Sequence, residues 1–192
     1  MCARQRGVSL VELIIFIVVV GVAVVGVLAA MRLGTAASTD PMVQKQALAI
    51  AEAMLEEVQL QSFTYCDPND ANAATALSSA GCAAPANDES AALGAEAGET
   101  RYGAASPFDN VSDYNGYDSN TEAPPGIRDL SGAQIAGLGG YRAQVGVSAQ
   151  GIDVVPAAEA LLIRVTVDGP AGTNVRVVLD GYRVRYAPNA LP

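Results

Sequence analysis

Hydrophobic positions follow three regimes along this 192-residue chain. The first is a continuous run. From Leu13 to Met31 no residue is charged, and counted from Val8 the apolar stretch is 24 residues long. At about 1.5 Å per residue it reaches roughly 36 Å as a helix, more than the ~30 Å hydrocarbon core of a bilayer. Its Val and Ile residues are poor helix formers in water. In lipid, however, the backbone must satisfy its own hydrogen bonds, and a helix does so. A transmembrane helix is therefore predicted over residues 8–31.

The second regime is periodic. Val43, Ala47, Ile50, Met54 and Val58 recur at three- and four-residue steps, with Gln44, Glu52, Glu56 and Gln59 mostly off that stripe. Residues 32–60 thus read as an amphipathic helix following a break: Gly34 to Asp40 is small and polar, and Asp40-Pro41 has the form of an N-cap followed by a first-turn proline. The third regime alternates. Tyr141 to Ala149, Leu161 to Val167 and Val175 to Tyr186 read as strands, the last interrupted at Gly181, with a turn at Asp168-Gly169-Pro170-Ala171-Gly172. Residues 61–140 show no sustained period and read as a loop-rich region. The predicted fold class is α+β: a long N-terminal helix, transmembrane in its first half and amphipathic in its second, packed on a small antiparallel sheet over 141–192.

The flanks of the apolar run orient it. Arg4 and Arg6 precede it and only Arg32 follows directly, so the positive-inside rule places the N-terminus in the cytoplasm and the C-terminal head outside. An ordinary secretory signal has an apolar core of about 7–15 residues. This one is longer, although Val27-Leu28-Ala29 would pass as a cleavage site and leave Ala30 first. A plain single-pass anchor explains length and flanks but leaves Glu12 without a role.

Composition narrows the chemistry. The formal charge is −9, from 11 basic and 20 acidic residues, which argues against nucleic-acid binding and gives no polybasic patch for anionic lipid. The chain has no His, so His-based acid–base catalysis and His-ligated metal sites are excluded. No nucleophile–base cluster or cofactor motif occurs. The Gly137-Leu138-Gly139-Gly140 run lacks the third glycine of a dinucleotide fingerprint, because Arg142 stands there. No catalytic residue, metal ligand or cofactor is assigned.

The N-terminal pattern Gly7-Val8-Ser9-Leu10-Val11-Glu12, with its basic flank and apolar run, resembles the leader of type IV prepilins and of the pseudopilins of type II secretion. Val8 replaces the phenylalanine usual in that family. The resemblance implies a leader peptide over residues 1–7, cleavage between Gly7 and Val8 by a prepilin peptidase, and N-methylation of Val8. It also implies an assembly role for Glu12, one helical turn from the new amine, as the partner of a neighbouring subunit's N-terminus. Loss of Arg4 and Arg6 with the leader would move the formal charge from −9 to −11.

Cleavage would also remove Cys2, leaving Cys66 and Cys82 in the exported segment. An even pair in an oxidising compartment reads as one disulfide, with two free thiols as the alternative. Asp109, Asn110, Asp113, Asn115 and Asp118 cluster around Gly116. A calcium loop is one reading, but the EF-hand spacing fails at Val111, and turns built on Asx side chains are favoured. Arg164, Arg176, Arg183 and Arg185 are expected to pair with acids across strands.

The segments DPMVQKQALAIAEAMLEEV, FTYCDP, FDNVSDYNGY and LDGYRVRYAP resemble minor pilins of the mannose-sensitive-haemagglutinin type pilus and those implicated in pilus modification. The resemblance implies a minor type IV pilin-like structural subunit, not an enzyme. Its partners would be the prepilin peptidase, other pilin or pseudopilin subunits, an inner-membrane assembly platform and membrane lipid. It would span the bacterial inner membrane once, with a periplasmic head that can enter an extracellular pilus. The alternatives are a type II secretion pseudopilin and a membrane-anchored binding or adhesin module.

Overall fold

The computed structural model describes residues 9–89 and 93–189, with backbone alone over 32–40. It divides into two compact units, residues 1–42 and 43–192. Helix α1, Leu10–Leu60, contributes to both. The described part of the first unit is entirely helical from Leu10, and Leu10–Met31 is long and apolar enough to cross a membrane. Every residue of that segment is exposed.

The break expected at Gly34 to Asp40 is not found. Helix runs through those residues, and Asp40 and Pro41 lie inside α1 instead of starting a new helix. Proline at 41 has no N–H for the carbonyl of residue 37, a defect of about 3 kcal/mol in a helix interior. The residues that follow, Met42, Gln44, Lys45, Gln46, Ala47 and Leu48, are good helix formers, and the helix continues across the one missing bond.

The second unit is built around residues 43–60 of α1 and a three-stranded antiparallel sheet. The strands are β1 (Arg142–Ala149), β2 (Ala160–Asp168) and β3 (Arg176–Val184), in the order β1-β2-β3. The predicted helical stripe is the buried one: Ala47, Ile50, Met54 and Val58 are buried, and Val43 packs on the same core. They meet the inner face of the sheet, where Ala143, Val145 and Val147 stand opposite Val167, Val165 and Ile163. Full burial of each Val or Ile contributes about 1.5–3 kcal/mol.

Strand β3 is not interrupted at Gly181, which pairs with Ile163 in register. A Cβ at Gly181 would lie 2.6 Å from Gln59 Nε2 and 2.9 Å from Leu55 Cδ1. The glycine thus lets α1 approach the sheet and is not a strand break.

Residues 61–141 form the loop-rich region, with short 3-10 turns at Ser79–Gly81, Pro85–Asn87, Ser112–Tyr114 and Ser119–Thr121. Three interactions secure it. Cys66 and Cys82 form a disulfide with Cα atoms 5.5 Å apart. Asp70 accepts from the backbone N–H groups of Asn72, Ala83 and Ala84 and from Asn87 Nδ2. Arg101 pairs with Glu57 of α1.

The exposed edge of β1 is closed by part of the predicted Asx cluster. The N–H groups of Ala143, Val145 and Val147 donate to Ser119 Oγ, Tyr117 O and Asn115 Oδ1 at 2.9, 3.0 and 3.0 Å. This cap removes a row of free donors that would otherwise template strand addition.

Cross-strand pairing holds for two of the four arginines. Arg164 meets Asp180 at 2.7 Å and Arg176 meets Asp168 at 3.4 Å. Arg183 instead lies over Tyr186 and donates to Gln61 O. Arg185 is buried between the rings of Phe63 and Tyr65, 4.0 and 4.4 Å from their centroids, with Glu159 as its acid partner. A planar guanidinium can stack and pair at once, so a cation fits this part of the head's interior.

Candidate functional site

Two places in the chain hold candidate functional groups. The first is the N-terminal end of α1. Gly7 and Val8, the expected cleavage and methylation positions, lie outside the described residues. The described chain begins at Ser9, whose carbonyl accepts from Leu13 N at 3.0 Å. Glu12 lies in the first helical turn and is exposed. A carboxylate there meets the positive end of the helix dipole, which favours it modestly in an otherwise uncharged segment. Around it Leu10, Phe16 and Val22 expose 74, 64 and 69% of their surface. An apolar surface of this extent on one helix needs lipid or protein around it.

The second place is in the head, where three loop segments bring six carboxylates together: Asp67, Glu89, Glu96, Glu99, Asp109 and Asp113. In each of three triads, Asp67/Glu99/Asp109, Asp67/Glu89/Glu96 and Glu96/Glu99/Asp113, one oxygen from each residue lies within 4.8 Å of the others. Several have one oxygen held and the other free. Glu89 Oε2 accepts from Ser112 Oγ. Asp113 Oδ2 accepts from the N–H groups of Asp109 and Asn110 at 2.9 and 2.7 Å. Asp109 Oδ2 accepts from Asn69 Nδ2 at 3.0 Å. Their second oxygens, Glu89 Oε1, Asp113 Oδ1 and Asp109 Oδ1, are buried without a hydrogen-bond partner, as is Glu96 Oε2.

Burial and mutual repulsion raise the carboxyl pKa values. Burial is the largest cause throughout, pushing Glu89 up to about 10, Glu99 to about 8, Asp113 to about 7 and Asp109 to about 6. Neighbouring carboxylates of the same cluster raise each further. None of the ion pairs among the described residues includes a member of the cluster.

The sequence reading reached only part of this site. It singled out Asp109 and Asp113 but grouped them with Asn115 and Asp118, which the structure sends elsewhere. Asn115 caps β1, and Asp118 pairs with Arg142. Asp67, Glu89, Glu96 and Glu99 were missed, because no local spacing joins residues 67, 89–99 and 109–113. The only local hint is Asp67 following a disulfide cysteine.

Comparison with curated proteins and with solved structures finds no match. Residues 2–28 match the family model described as the prokaryotic N-terminal methylation motif. The match spans the basic flank, the Gly7 to Glu12 pattern and most of the apolar run. Over those residues the chain therefore carries the prokaryotic N-terminal methylation motif.

Proposed function

We propose that this protein is a minor type IV pilin-like structural subunit. The observation that carries the reading is the methylation motif at residues 2–28 on a helix whose apolar surface is wholly exposed and whose first turn holds a lone acid. In this reading residues 1–7 are the leader and the prepilin peptidase cuts between Gly7 and Val8. The amine of Val8 is then methylated. Residues 8–31 hold the subunit in the inner membrane until an assembly platform transfers it into a fibre, and residues 43–192 form a head on the periplasmic side. The Cys66–Cys82 disulfide suits that oxidising compartment.

Glu12 supplies the assembly selectivity. A charged side chain at the centre of a membrane helix costs about 2.5–3.5 kcal/mol on insertion scales, and less near the interface. Bringing a neighbour's N-terminal amine alongside offsets that cost through charge pairing. The isolated subunit is thus penalised and the docked one favoured, in one register. The same physics serves a pseudopilin of type II secretion. A deletion strain that loses or alters its pili while secreting its enzymes normally identifies the pilin, and the opposite phenotype identifies the pseudopilin.

The direct test substitutes Glu12→Ala in the native operon. The variant should be processed and reach the membrane at wild-type levels, yet be depleted at least several-fold from sheared fibres. Incorporation equal to wild type would remove the assembly role of Glu12.

A further inference from the structure

We propose that Asp67, Glu89, Glu96, Glu99, Asp109 and Asp113 form a calcium-binding site in the head.

Two of these carboxylates lie almost wholly inside the protein. Glu89 is 1% exposed and Asp113 is 2% exposed, and each leaves one carboxylate oxygen inside the protein with no donor. Buried acceptors of this kind are rare unless a ligand, ion or water completes them. The opposite oxygen of each carboxylate is fixed by Ser112 Oγ or by backbone N–H groups, so the free oxygen is oriented. Hydrogen bonds of this type are what outer-shell residues supply at a metal site.

The donor set indicates the ion class: the cluster offers carboxylate oxygens alone, and calcium takes six to eight oxygen ligands at about 2.3–2.6 Å in a flexible geometry. The ligand oxygens of each triad lie within 4.8 Å of one another, and the three triads share Asp67, Glu96 and Glu99, forming one connected set. Zinc is disfavoured, since the chain has no His and Cys66 and Cys82 are bonded to each other. Magnesium demands a tight octahedron and retains its waters. The ligands come from Asp67 inside the disulfide loop and from Glu89, Glu96, Glu99, Asp109 and Asp113 beyond it, so binding would tie the disulfide loop to the segments that follow.

The test is isothermal titration of the full-length protein in detergent, after chelation, with calcium chloride alone and with magnesium chloride alone. Thermal unfolding is followed in parallel. Calcium should bind at micromolar to millimolar concentration and raise the melting temperature by several degrees, with magnesium at least tenfold weaker. Glu96→Gln and Asp109→Asn, at partly exposed positions, should weaken calcium tenfold or more while keeping the wild-type circular dichroism. No heat and no thermal shift from calcium in the folded wild-type protein would overturn the site. Equal responses to the two ions would also overturn it, since they would reflect only screening of an acidic surface.

Discussion

Arg101 grips Glu57 with two near-parallel bonds, Nε to Oε1 at 2.6 Å and Nη2 to Oε2 at 2.5 Å. The pair joins the loop region to α1, and its side chains are only 4 and 13% exposed. Tyr114 Oη donates to Glu57 Oε1 at 2.9 Å, and the guanidinium lies over the rings of Tyr102 and Tyr117. Removing one partner of such a buried pair leaves the other charge without compensation. Arg101→Ala should therefore destabilise the head by about 3–5 kcal/mol. Arg101→Lys should recover only part of that, because an ammonium cannot form the fork. Urea unfolding of both variants checks the order, and equal stability of Lys and wild type would contradict it.

The disulfide secures the other side of the same region. Cys66 and Cys82 are 16 residues apart in sequence, and closing a loop of that size contributes about 3 kcal/mol by chain entropy. The paired variant Cys66→Ser/Cys82→Ser should lose roughly that much stability and show early proteolytic cutting between residues 66 and 82. Wild type treated with reductant should behave as the variant does. Limited proteolysis read by mass spectrometry measures both.

Asp70 gives the head an acid-sensitive point. Backbone N–H groups of Ala83 and Asn72 hold its carboxylate below the usual value of 3.8. A carboxyl group with a depressed folded value binds fewer protons folded than unfolded. Its contribution is thus present above about pH 3.8 and is lost as pH falls through the lower folded value. Wild type should lose stability more steeply than Asp70→Asn below pH 4, whereas the two should run parallel from pH 5 to 7. Urea midpoints across pH 2–7 measure the difference, and parallel curves throughout would contradict this role.

Much of the head was readable from periodicity. The stripe Ala47, Ile50, Met54 and Val58 and the alternation Tyr141, Val145, Val147 mark the surfaces that became the core, because helix and strand periods impose one buried face. The proline at 41 misled: with Asp40 it has the form of a helix start, yet one helix runs from Leu10 through it to Leu60. Gly181 misled in the opposite sense, because the reason for a residue without a side chain sits on another element, at Leu55 and Gln59. The ring stacking of Arg185 and four of the six acids in the cluster were not readable. Phe63, Tyr65 and Glu159 reach Arg185 only after folding, as Glu89 reaches Asp113, and no spacing rule covers such separations. The N-terminal motif is the reverse case: it is wholly local, and it carries the functional reading.

That reading stands on a processed N-terminus, so its most direct test is the intact mass and N-terminal peptide of the mature protein isolated from membranes or fibres. The account predicts a chain beginning at Val8 and carrying one methyl group on its amine, with Cys2, Arg4 and Arg6 gone. A mature chain that keeps residues 1–7, or one that begins at Ala30 after losing the apolar segment, would contradict it.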